Sequence, residues 1–187
     1  MRLFTAIDLP PEVVRHLEKL LETLKPTARI AWSRPSNLHV TTKFIGEWPE
    51  ERLEELKRAL ASIGPRSRIS VSISNLGFFP NARSPRVFWC GVDAPGLGAL
   101  AAATEDATAS LGVARENRAF SPHLTLARIK ERINLKPLDQ AIARLREANS
   151  SLHFGSFPVD RFYLYQSKLD PAGSVYTKLA EFPFSQP

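Results

Sequence analysis

The sequence predicts an α+β fold built from a duplicated β-α-β-α-β unit, and three observations carry that prediction. Short apolar strands alternate with amphipathic helices along all 187 residues. The second half repeats the order of elements found in the first. The two halves also run in register: Val87 follows Leu3 by 84 positions, and His123 follows His39 by the same 84. Such a unit sets equivalent strands side by side about a pseudo-two-fold axis, so the two histidines should face each other across a cleft.

Each element follows from its own pattern. Leu3 to Ile7 is an apolar strand, stopped by Asp8 and the breaker pair Pro10-Pro11. Val13, Val14, Leu17, Leu20, Leu21 and Leu24 fall at helical spacing. Asn37 to Ile45 reads as a strand closed by Gly46, and Leu53, Leu56, Leu60 and Ile63 mark a second helix with a charged outer face. Ile69 to Ile73 is a strand, followed by a turn-rich loop from Gly77 to Pro85. The second unit opens with a strand over Arg86 to Val92. Asp93-Ala-Pro95 then leads into a helix carrying Leu97, Leu100, Ala101, Ala107 and Leu111 on one face. Pro122 to Ile129 is the matching strand, Leu138, Ile142 and Leu145 mark the matching helix, and Phe154 to Val159 follows. Strands near Phe162 to Tyr165 and Val175 to Phe182 end the chain.

Composition narrows the class of function. No apolar run is long enough to span a bilayer. The segment from Met1 to Asp8 is too short in its apolar part, and too soon acidic, for a secretory signal, so a cytoplasmic protein is expected. One cysteine, Cys90, permits neither an internal disulfide nor a cysteine metal cluster, and its apolar neighbours predict a buried structural thiol. Lys and Arg number 25 against 19 Asp and Glu, a net charge of +6 that favours a polyanionic partner without proving one.

The chemistry lies in two H-x-T motifs. One is Asn37-Leu-His39-Val-Thr41-Thr-Lys-Phe-Ile-Gly46; the other is Ser121-Pro-His123-Leu-Thr125-Leu-Ala-Arg128. Residues two apart on a strand share a face, so His39 points with Thr41, and His123 with Thr125. Val40, Leu124 and Leu126 face the other side, as does Thr42, whose hydroxyl then needs a partner. Opening a cyclic phosphodiester needs a base for water and an acid for the departing ribose oxygen. Two imidazoles supply both near neutral pH without a metal. Threonine hydroxyls can donate to the phosphate oxygens as negative charge grows there.

With these motifs the chain resembles the two-histidine (2H) phosphoesterases, and among them the bacterial and archaeal RNA 2′,3′-cyclic phosphodiesterases, also called 2′-5′ RNA ligases. The resemblance covers almost the whole chain. It takes in Phe4 to Pro10, Asn37 to Gly46, Pro85 to Trp89, Arg118 to Arg128, Phe162 to Ser167 and Gly173 to Tyr176. Thr42 departs from the aliphatic residue common at its position, on the back face where activity is not threatened. The resemblance implies one bilobal domain over residues 1–187, with two antiparallel sheets, outer helices and a cleft between the lobes. The chain can cross between lobes rather than fill one and then the other. It implies hydrolysis of an RNA 2′,3′-cyclic phosphate to a 2′-phosphomonoester without cofactor or metal, and 2′-5′ ligation by the reverse reaction. By the same resemblance His39 is the proton donor, His123 the proton acceptor, and Thr41, Thr125 and Arg128 hold the phosphate. Strand alternation alone would put Arg128 on the face opposite Thr125, unless the strand twists or ends. A monomer is expected, acting on RNA ends or nucleotides that bear the cyclic phosphate. The alternatives are a phosphodiesterase for a small nucleotide such as an ADP-ribose cyclic phosphate, and an RNA-binding module that keeps the histidines but turns nothing over.

Other residues have plainer readings. His16 and His153 are expected at the surface or its boundary. Arg83 and Arg86 flank a loop and could follow an RNA backbone, or simply be solvated. Phe44, Trp32 and Phe120 could stack on a base, but core packing is the simpler expectation. Gly96-Leu-Gly98 lacks the third glycine of a dinucleotide fingerprint, and neither a P-loop nor a G-x-S-x-G motif is present.

Overall fold

In the computed structural model, which describes residues 1–63, 67–171 and 173–184, there are nine strands and four α-helices, and the eight strands and four helices expected from the sequence occur in the expected order. The first unit comprises β1 (Arg2–Asp8), α1 (Pro11–Leu24), β2 (Ala31–Trp32), β3 (His39–Glu47), α2 (Leu53–Ala61) and β4 (Ile69–Phe79). The second comprises β5 (Val87–Asp93), α3 (Leu97–Ala109), β6 (His123–Arg128), α4 (Lys136–Ala148) and β7 (His153–Val159), after which β8 (Arg161–Asp170) and β9 (Gly173–Pro183) form a hairpin. Among the described residues no helix is long and apolar enough to cross a membrane.

Four differences from the sequence reading stand out. β4 continues to Phe79, so the expected loop from Gly77 shrinks to the turn before β5. Asn75 sits at φ 65° beside a register shift, which breaks the alternation, and pairing with β5 then carries the strand on. Gly77 is required there, because a Cβ would lie 2.2 Å from the Trp89 ring on the partner strand. On α3 the buried face runs through Thr104 and Thr108, not Ala107 and Leu111. Each threonine hydroxyl donates to the carbonyl four residues earlier, at 2.8 Å, and so is satisfied without water. Asn37 lies outside β3, in a 3₁₀ turn opened by Pro35, and β2 is a two-residue strand without a periodic signal.

The sheet is antiparallel and mixed in chain order: β7-β4-β5-β6-β3-β1-β8-β9, with β2 alongside β6. The two expected sheets are joined as one path by a single registered pair between β3 and β6, Val40 opposite Leu124. These residues are themselves 84 apart, so equivalent positions of the two units meet at the seam. The chain does cross between halves. β4, from the first unit, lies beside β5, while β8 lies beside β1. One side of the sheet and the helices bury a shared apolar core, with Val40, Leu124, Leu126 and Leu100 all at 0% exposure.

Candidate active site

Both histidines open their strands, and both are fixed in the same way. The Nδ1–H of His39 donates to the Asn37 carbonyl at 2.6 Å, and that of His123 to the Ser121 carbonyl at 2.9 Å. A carbonyl can only accept, so Nδ1 carries the proton and Nε2 is left for chemistry. Asn37 and Ser121 are again 84 apart. The antiparallel direction through Val40 and Leu124 brings His39 towards Thr125 and Thr41 towards His123. Thr41 donates to His39 Nε2 at 3.0 Å. On the back face, the Thr42 hydroxyl has the partner it needs, the Thr5 hydroxyl at 2.7 Å.

A β-bulge in each strand decides what else faces this site. In β3 the register passes from Thr41 opposite Ala6 to Lys43 opposite Thr5, skipping Thr42. In β6 it passes from Thr125 opposite Trp89 to Ala127 opposite Phe88, skipping Leu126. Strict alternation in β6 would bury Arg128 without a partner and expose Ile129. The bulge instead buries Leu126, Ala127 and Ile129 together, each large apolar side chain contributing about 1.5–3 kcal/mol. Arg128, opposite Val87, therefore returns to the Thr125 face. Simple alternation places it on the other side. The equivalent bulge turns Phe44 outward at 50% exposure and Lys43 inward at 6%.

The result is a cleft of about 940 Å³ lined by Thr41, His123, Thr125 and Arg128, with Arg86, Arg118, Phe44 and Phe120 around them. Phe44 and Phe120 are thus cleft residues rather than the core residues expected. Trp32 packs edge-on against Phe88 at 5.9 Å, as expected of a core aromatic. His39 is enclosed: Phe4 lies 4.8 Å from its ring and Tyr176 meets it edge-on at 5.2 Å. Burial holds its pKa below 6.5, outweighing the Asn37 carbonyl and nearby Asp8, while the charges of Arg128 and His123 push the same way as burial. Asp8, opposite His39 on β1, accepts from Tyr165 and from Lys178 Nζ at 2.7 Å. Burial and that bond push the Tyr165 hydroxyl far above its ordinary range. His123 is more open, with one aromatic neighbour, Phe79, edge-on at 5.0 Å. The two imidazoles are alike in sequence and different in setting.

Sequence reasoning missed this enclosure. Phe4, Tyr165 and Tyr176 carry no spacing signal, because three separate strands bring them to one ring. The plainer candidates fall elsewhere. His16 donates from Nδ1 to the Phe154 carbonyl at 2.9 Å, and His153 meets Ser156 at 3.4 Å. Arg83 is exposed on the turn before β5. Cys90 is fully buried opposite Leu124, and burial pushes its thiol up to about 12, which suits a structural residue.

The profile of the family described as LigT like Phosphoesterase matches this chain twice, over residues 7–89 and 92–176. A Methanocaldococcus jannaschii protein named RNA 2′,3′-cyclic phosphodiesterase is 34% identical over 182 residues, covering 97% of this chain and 100% of that one. A crystal structure of a Thermus thermophilus protein superposes with a TM-score of 0.81 at 31% identity, covering 98% of both chains. That of Escherichia coli LigT complexed with 3′-AMP does so with a TM-score of 0.77 at 28% identity, covering 99% of this chain and 98% of that one.

Proposed function

The chain belongs to the LigT-like phosphoesterase family, and from that membership we propose that it hydrolyses RNA 2′,3′-cyclic phosphate ends to 2′-phosphomonoesters. The observation that carries this reading is the matched pair of imidazoles. Each is held at Nδ1 by the carbonyl two residues before it, with a threonine on the same strand face. The names of the relatives supply RNA as the substrate class. In this reading residues 1–187 work as one bilobal domain. Both motifs come from the same chain, so a monomer completes the site.

In this reading the steps are as follows. His123 Nε2 takes a proton from water, the oxygen attacks phosphorus, and the P–O3′ bond breaks. His39 Nε2–H protonates the departing 3′-oxygen. Thr41, Thr125 and Arg128 donate to the non-bridging oxygens, where charge accumulates; a guanidinium can serve two of them at once. With a 5′-hydroxyl of RNA in place of water as the nucleophile and the 3′-oxygen leaving as before, the same arrangement would form a 2′-5′ linkage. The deciding assay is product analysis on an oligonucleotide ending in a cyclic phosphate. A 2′-monophosphate is expected, with turnover unchanged by EDTA; a 3′-monophosphate, or no turnover, would reject the assignment.

The enclosure of His39 gives a pH signature. As the acid, His39 must be protonated, and its folded pKa lies below 6.5. Its protonated fraction in the free enzyme therefore falls as pH rises through a value below 6.5, and one limb of the kcat/KM profile should lie there. A bound phosphate anion favours the imidazolium, so the His39 limb of kcat should lie at higher pH. A kcat/KM profile with no limb below 6.5 would remove His39 from the acid role.

A further inference from the structure

The segment between α3 and β6 forms one wall of the cleft, yet the core does little to hold it. Residues 114–121 are all exposed, and among the described residues none of them makes a backbone–backbone hydrogen bond. Even so, Arg118, Phe120 and Ser121 line the cleft, and the Ser121 carbonyl fixes the tautomer of His123. The support comes from the other half of the molecule. Lys43 Nζ donates to the Ala114 carbonyl at 3.0 Å and to Glu105 Oε1 at 2.8 Å. The same Glu105 oxygen accepts the Glu116 N–H at 2.9 Å. An outer pair, Arg115 with Asp106 at 2.7 Å, is more than half exposed on both sides and adds little.

Lys43 reaches this position because of the β3 bulge. By alternation it would share the cleft face with Thr41; the skipped Thr42 turns it back towards α3. Its equivalent 84 residues on is Ala127, which is buried but has nothing to donate. The support therefore exists in one half alone, and it links the strand of His39 to the wall beside His123.

We propose that Lys43 is a positioning residue that, with Glu105, moors the 114–121 wall to the His39 strand and so sets the affinity of the cleft for its substrate. The kinetic part of this inference rests on the cyclic phosphodiesterase reading; the mooring itself does not.

The test is the double variant Lys43→Met/Glu105→Leu, in which apolar groups of similar size replace the buried pair and keep the core filled. It should melt close to wild type, while trypsin cleaves after Arg115 and Arg118 at least about tenfold faster, as expected when a local anchor is lost. KM for the cyclic-phosphate oligonucleotide should rise about tenfold with kcat within about threefold, and both pH limbs should stay in place. Glu105→Gln, which preserves shape and an acceptor, should move cleavage and KM in the same direction by less, and it decides the matter if the double variant is unstable. Wild-type cleavage rates in both variants, or faster cleavage with KM unchanged, would overturn the proposal. If wild type itself fails to open the cyclic phosphate, the catalytic reading falls, and the cleavage rates alone still decide whether Lys43 moors the wall.

Discussion

Replacing either His39 or His123 with Ala should lower kcat on a cyclic-phosphate oligonucleotide by about 10²–10⁴-fold, the usual worth of a positioned acid or base. The two losses should not multiply. Once one proton transfer is left to water, the other histidine acts on a step already limited elsewhere, so the double variant should be little slower than the worse single one. The structural cost differs between the two. His39 fills space between Phe4 and Tyr176, so His39→Ala leaves a gap among aromatic rings. His123 touches one ring, Phe79. His39→Ala should therefore lower the melting temperature more than His123→Ala, and His39→Gln should recover part of that stability without recovering turnover. Single-turnover rates beside thermal melts separate the two effects. Near-normal kcat in either Ala variant would sink the two-histidine mechanism.

Much of this site was legible in the sequence because it depends on strand periodicity and repeat register. The 84-residue offset placed the histidines on equivalent strands, and the structure adds that Val40 and Leu124, at that same offset, are the pair that joins the halves. What escaped was a change of parity. In β6 the apolar residues run Leu124, Leu126, Ala127, Ile129, a pattern that switches faces after Leu126 and implies a bulge. In β3 the same switch is hidden, because its buried positions include Thr42 and Lys43. A buried lysine looks polar to any pattern until its partners Glu105 and Ala114 are known, and those lie 62 and 71 residues away. The enclosure of His39 was illegible for a related reason: it is assembled from β1, β8 and β9, which meet only in the sheet order. Phe44 and Phe120 depart from expectation because an aromatic residue in or beside an apolar strand has the same pattern whether it packs in the core or lines a cleft. Whether it faces in or out depended on the bulge in one case and on an exposed wall in the other.

The threonines extend the asymmetry from the histidines to the phosphate. Thr41→Val and Thr125→Val each remove one donor from the place where charge develops, and each should lower kcat by about 10²–10³-fold with little change in KM. Serine at either position should restore most of the rate, since it returns the hydroxyl. The two valine variants should differ in their pH profiles. Thr41 donates to His39 Nε2 at 3.0 Å when the ring is neutral and accepts from Nε2–H once it is protonated. Its loss takes a polar partner from the ring of His39, so the His39 limb of kcat/KM should move. His123 is fixed at Nδ1 by a backbone carbonyl, which Thr125→Val does not touch, and that variant should keep the wild-type limbs. Equal pH shifts in both variants would mean that Thr41 does not act through His39. Full activity in Thr125→Val would leave the phosphate to Arg128, whose place on the Thr125 face depends on the bulge at Leu126. Arg128→Lys would then be the costly change, because an ammonium cannot bind two phosphate oxygens in the paired geometry of a guanidinium.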